Sequence, residues 1–147
     1  MTLKMTQEAL TTFVASVFPQ VKGEFTVEAL DVETMQVRMH VGERHLRPGG
    51  TISGPSMFAL ADVAAYFMTM ARIGPEALAV TTNCSIDFLR KPAAGVDLIA
   101  KARLLKLGRQ LSVSDVLIYS EGQDMPVARA TLTYSIPPAK NKTGADG

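Results

Sequence analysis

The chain has 147 residues, 47% hydrophobic and 20% charged, with a formal net charge of +1, which fits one globular core and is too apolar for a disordered chain. One cysteine excludes an internal disulfide framework and a Cys-based metal cluster and points to a reducing, cytoplasmic setting, while three Tyr, six Phe and no Trp offer little to stack on single-stranded nucleic acid. The longest uncharged stretch, Pro48 to Ala61, has 14 residues including three Gly and two Pro, short of the ~20 that cross a membrane.

Along the chain, Met1 to Gln20 lacks the apolar core and cleavage motif of a signal peptide. Thr6 to Phe18 instead reads as an amphipathic helix, with Leu10, Phe13, Val14 and Val17 on one face and Pro19 as its stop. Two strands follow: Phe25, Val27 and Ala29 alternate with polar residues, as do Met35, Val37, Met39 and Val41, with a hairpin turn at Asp31 to Glu33. Pro48 to Pro55 is a turn-forming run that ends on a proline suited to the first position of a helix. The helix from there to Arg72 or Ile73 has no polar stripe and should be buried all round. Downstream, Val80, Cys84, Ile86 and Phe88 alternate with Thr81, Asn83, Ser85 and Asp87. Further strands are expected around Val96 to Leu104, Leu111 to Tyr119 and Ala128 to Ile136. The order is helix, two strands, buried helix and a four-strand antiparallel meander. That is an α+β domain over residues 1–136, a curved sheet wrapped around one long central helix, with 137–147 a polar, disordered tail.

Charge is unevenly placed. Residues 38–109 carry ten Lys and Arg against five acids, and the remainder five against nine. A basic middle in a neutral protein suits a small polyanion better than a long nucleic-acid tract. Asp62 is the only charge between Arg47 and Arg72. A carboxylate in so apolar a helix must be paired, hydrogen-bonded or used, so it is either structural or catalytic. Gly54, before Pro55, is either a plain cap or a backbone donor at the positive end of the helix dipole. Eight helical residues separate the two by ~12 Å. A site that uses both is therefore assembled from two subunits. His40 falls on a polar strand face, and His45 lies in the loop before the glycines. Two isolated histidines offer no metal site. Cys84 reads as a core residue, and Ser53, Ser56 and Ser112 have no base near them in sequence. Arg90 and Lys91, and Lys101, Arg103, Lys106 and Arg109, are either solvated strand edges or a binding patch.

The run from Gly50 to Ala64, Gly-Thr-Ile-Ser-Gly-Pro-Ser-Met-Phe-Ala-Leu-Ala-Asp-Val-Ala, resembles the signature of hot-dog-fold acyl-CoA thioesterases of the phenylacetate-degradation (PaaI-like) type, roughly G-T-x-H-G-G-x-x-x-x-L-x-D-x-A. Ala79 to Arg90 is similar to the family's strand after the central helix, and Leu105 to Gln110 to a later hairpin; the resemblance spans roughly residues 24–136. It implies a hot-dog fold, a homo-oligomer (a dimer or dimer of dimers), an acyl-CoA substrate and no cofactor beyond the coenzyme A of that substrate. Asp62 falls on the catalytic carboxylate, which acts as general base or nucleophile. Gly54 falls on the glycine whose amide polarises the thioester carbonyl from the partner subunit, and Thr81 on a hydroxyl that orients the water or carboxylate. Arg90, Lys91, Lys106 and Arg109 become phosphate partners for coenzyme A. Ser53 stands where the family has His, Pro55 where it has a second Gly and Arg47 where it often has Asn, so Ser53 and Arg47 are placed against substrate. Two other readings remain open: an acyl-CoA-binding module without turnover, and a hydratase or dehydratase using His45.

Overall fold

Strands with alternating apolar side chains leave one wet face and one dry face, and the dry face needs a cover. In the computed structural model, which describes residues 2–138, that cover is the long apolar helix. The elements are α1 (Gln7–Val17), β1 (Phe25–Leu30), β2 (Thr34–Met39), α2 (Gly54–Ile73), β3 (Val80–Phe88), β4 (Leu98–Leu107), β5 (Leu111–Ser120) and β6 (Pro126–Ser135). From residue 139 onward the expected tail lies outside the described residues.

All strand pairings are antiparallel, in the spatial order β1-β2-β4-β5-β6-β3. This corrects the expected meander. β3 does not pair with β4; it crosses to the far side and pairs with β6, while β4 takes β2. The physical reason is visible in the nine residues between β3 and β4, too long for a tight hairpin, which uses two to five. The apolar rows of β2 (Met35, Val37, Met39) and β4 (Leu98, Ala100, Ala102) belong side by side in the core.

Four irregularities interrupt the strand pairing, and the two on the edge strands β1 and β3 change which residues face the core. One between Val27 and Ala29 turns Ala29 outward, and one between Thr81 and Asn83 puts an extra residue into β3. The second exchanges the faces of the first two residues of β3. Val80, expected in the core, is 56% exposed, and Thr81 turns toward the helix.

α2 lies against small side chains in the middle of the sheet, including Ala100, Ala102, Ser112, Ser114, Ala128 and Ala130, all buried. These let the sheet approach and bend around the helix, whose Leu60, Ala61, Ala64, Phe67, Met68 and Ala71 are fully covered. By length and composition these 20 residues could cross a membrane; here the sheet encloses most of them. The helix is not buried all round, however. Pro55 and Phe58 are exposed and Ala59, Asp62 and Val63 half-buried, forming one stripe on its N-terminal half. At the other end Arg72 is buried, donating to the carbonyls of Met68 (3.0 Å) and Asp31 (2.8 Å), where the helix dipole favours a cation.

The two sheet edges differ. On β1, the Val27 amide donates to Thr11 Oγ1 (3.3 Å) and its carbonyl accepts from Gln7 Nε2 (3.2 Å), so α1 covers that edge. The free edge of β3 has no such cover among the described residues, and Val80, Phe88 and Leu89 are 56%, 52% and 45% exposed beside it.

Candidate active site

The loop before α2 folds back on itself. The Ser53 amide donates to the His45 carbonyl (2.8 Å), Leu46 bridges Ile52, and the Arg47 amide donates to the Thr51 carbonyl (2.8 Å). The tip, Arg47 to Gly50, closes with Gly50 N–H on the Arg47 carbonyl (3.0 Å), and φ of +99° at Gly49 and +84° at Gly50 needs glycine twice. This small hairpin delivers Ser53 as the N-cap of α2. Its Oγ accepts from the Ser56 amide (3.3 Å) and donates to Ser56 Oγ (2.9 Å). Gly54 is the first helical residue, and its N–H has no carbonyl one turn back to bond. The Phe88 ring lies beside it, 3.4 Å from where a Cβ on Gly54 would sit.

Asp62 sits two turns further along α2, ~12 Å from Gly54 on the helix rise. Thr81 Oγ1 donates to Asp62 Oδ1 at 2.5 Å, and Tyr134 Oη donates to the same oxygen at 2.8 Å. Tyr134 Oη also lies 3.1 Å from the Asp62 backbone carbonyl. Both donors come from one rung of the sheet, because Thr81 pairs with Tyr134 between β3 and β6. The bulge makes this possible: without the extra residue, Thr81 would share the outer face with Asn83. No described cation pairs with Asp62; its partners are the two hydroxyls, and hydrogen bonds to a charged group stabilise by about 1.5–3 kcal/mol each. Tyr134 is buried and packs against Tyr66 with ring centroids 5.8 Å apart. Burial, and then the Asp62 charge, push its phenol far above the ordinary tyrosine range, so it stays a donor.

The remaining sequence candidates fall elsewhere. His45 is buried with Nδ1 accepting the Gly42 amide (2.7 Å) and Nε2 3.3 Å from Glu24, without hydrogen-bond alignment. Arg44 engages the other oxygen of Glu24, and burial followed by the Arg44 charge holds the imidazole below its ordinary value. His45 is therefore a neutral ring committed to its own loop. Arg47 is exposed at the hairpin and Ser53 is occupied as a cap.

The four basic residues do not form one patch in a single chain. Arg90 and Lys91 follow Phe88 at one end of β3, with Arg90 donating to the Pro126 carbonyl. Lys106 at the end of β4 and Arg109 in the β4–β5 turn lie near Leu111 and Ser135, which are level with Val80 at the other end. Eight strand residues separate the ends by roughly 25 Å. Lys106 and Arg109 line a groove with Lys4, Glu76 and Ile136. Tyr134 was missed as a functional residue, because its place in an apolar row reads as core. The available signal was its hydroxyl, which needs a partner when buried.

Comparison with known proteins identifies the family. Residues 49–127 match the thioesterase superfamily model. A Pseudomonas aeruginosa protein assigned as an esterase is 30% identical over 102 residues, 69% of this chain and 74% of that protein. A solved structure from a Silicibacter species, assigned as a thioesterase, is 58% identical with a TM-score of 0.88, covering 94% of this chain and 96% of that one. The phenylacetic acid degradation protein PaaI of Thermus thermophilus, solved as a point mutant, is 31% identical with a TM-score of 0.69, covering 81% of this chain and 99% of that one. The chain belongs to the thioesterase superfamily and has its hot-dog fold. It is a thioester hydrolase.

Proposed function

We propose that the protein hydrolyses acyl-CoA thioesters in sites shared between two copies of the chain, each with Asp62 from one copy and the Gly54 amide from the other. One observation carries this reading: the two groups sit at opposite ends of the same uncovered edge strand. Asp62 is bonded to Thr81 near the start of β3, and Gly54 lies against Phe88 at its end, seven residues or about 23 Å further along. A two-fold axis that pairs β3 antiparallel with its own copy brings the Phe88 end of one chain to the Thr81 end of the other. The same operation creates two equivalent sites, joins the two sheets and covers Val80, Phe88 and the open stripe of α2. It also brings Arg90 and Lys91 of one copy to the end that holds Lys106 and Arg109 of the other, uniting the four cations as a seat for coenzyme A phosphates.

In such a site the Asp62 carboxylate takes a proton from water as the water oxygen attacks the thioester carbonyl carbon. The carbonyl oxygen gains the negative charge and receives the Gly54 N–H and the positive end of α2. Collapse breaks the C–S bond, and the proton held by Asp62 passes to the departing thiolate.

The test is release of free thiol from a panel of acyl-CoAs by wild type, Asp62→Asn and His45→Ala. Turnover lost in Asp62→Asn and retained in His45→Ala supports the hydrolase assignment of roles. Acyl-CoA binding without thiol release favours a binding module, and hydration of an enoyl-CoA that depends on His45 favours a hydratase.

A further inference from the structure

We infer that Tyr134 is a positioning residue for Asp62: with Thr81 it pins Oδ1 and leaves Oδ2 as the only oxygen of the carboxylate that meets water. This rests on the catalytic role proposed for Asp62. A carboxylate has two equivalent oxygens and turns about its χ2 bond, so a free one presents either oxygen in a spread of directions. Here both side-chain donors converge on one oxygen, at 2.5 Å from Thr81 and 2.8 Å from Tyr134, and no described residue bonds Oδ2. The phenol has a single proton, and the shorter of its two contacts, to Oδ1 rather than to the 3.1 Å backbone carbonyl, takes it.

The lock is rigid because each part is held from behind. Tyr134 is 4% exposed and its ring rests on Tyr66, which in turn stacks on Phe13 and meets Phe18 edge-on. Thr81 is held opposite it by the β3–β6 ladder. With Oδ1 occupied, Oδ2 is the oxygen left free of protein donors, and Asp62 itself lies on the partly open side of α2 with Pro55, Phe58 and Ala59. That is the side where the second copy closes the site.

The experiment is steady-state acyl-CoA hydrolysis by the full chain in wild type, Tyr134→Phe, Thr81→Val, the double variant, Asp62→Asn and Tyr66→Phe. Tyr134→Phe keeps the ring and its stacking, so folding and oligomeric state are expected to be unchanged by thermal melt and light scattering. Its kcat is expected to fall about tenfold with KM unchanged, the size of a lost hydrogen bond to a charged group. The double variant loses less than the product of the two single losses, since the second removal acts on a carboxylate already freed. Tyr66→Phe, whose hydroxyl bonds the Glu76 carbonyl at 3.4 Å and no other group among the described residues, retains wild-type kcat. If Asp62→Asn is inactive but Tyr134→Phe has wild-type kcat, or if the two hydroxyl losses multiply independently, the positioning role is wrong. If Asp62→Asn turns over normally, the underlying assignment of Asp62 fails instead.

Discussion

Gly54→Pro isolates one backbone hydrogen without dismantling the fold. Gly54 is the first residue of α2, the position where proline is favoured because its missing N–H is one the helix does not use. Ser53 has φ −77° and ψ 154°, the extended conformation that a following proline requires. The cap bond from the Ser56 amide to Ser53 Oγ is untouched. Restricting the unfolded chain at a compatible site stabilises by about 0.4–1 kcal/mol, so the melting temperature should hold or rise slightly. Activity should move the other way, because removal of one oxyanion donor costs about 10² to 10³-fold in kcat, about 2.7–4 kcal/mol. Gly54→Ala serves as the comparison: it keeps the N–H, and its methyl meets Phe88 at an ordinary 3.4 Å contact. The assay is thiol release from acyl-CoA, read beside a thermal melt. A folded Gly54→Pro protein with wild-type kcat would refute the assignment of the Gly54 amide to the oxyanion.

Asp62→Asn should lower kcat by about 10² to 10⁴-fold, the range of a general base, with substrate binding by calorimetry retained. Val80→Asp places a charge on the uncovered edge beside β3; light scattering should show dissociation toward monomers, with turnover lost in step and the far-UV spectrum kept. Arg90→Gln and Arg109→Gln should raise KM for acyl-CoA while sparing kcat, and the effect should vanish on pantetheine thioesters that lack the nucleotide phosphates. Acid should destabilise the fold in two stages. Burial and Arg44 hold His45 below 6.5, so its contribution is full above that pH and is lost as pH falls toward the depressed value. Burial pushes Glu28 and Asp97 up, but Arg38 and Gln36 on Glu28, and the Val41 amide and Arg38 on Asp97, outweigh it and hold them below 4.5 and 3.8. Their contribution is present above those values and is lost as pH falls further. Thermal melts against pH check both stages, and His45→Gln should remove the upper one.

What could be read from residues alone was whatever depends on local periodicity. The central helix was legible because Met57 to Ala71 leaves no polar stripe, and the strands because their apolar residues recur at every second position. Asp62 and Gly54 stood out for the same reason, as breaks in those patterns, and their ~12 Å spacing on one helix is what leads to the proposal of a site shared between two chains. What escaped was everything that depends on which strand meets which. Alternation does not name a partner, so β3 was placed in a meander when it occupies the far edge. A bulge is one residue among nine, and it reversed the faces of Val80 and Thr81. Tyr134 looked like core because it is core in its ring; only the cross-strand pairing with Thr81 places its hydroxyl on Asp62. The resemblance brings the four basic residues together as phosphate partners, yet β3 holds the two pairs apart within one chain.

Subunit complementation tests the shared site most directly. Asp62→Asn and Gly54→Pro chains are each purified, shown to be folded and inactive, then mixed in equal amounts, dissociated and reassembled. In half of the randomly formed dimers the intact Asp62 of one chain faces the intact Gly54 of the other at one of two sites. Sharing across a two-fold axis therefore predicts recovery of about a quarter of wild-type activity. A mixture that stays as inactive as its parents would contradict it and place the whole site within one chain.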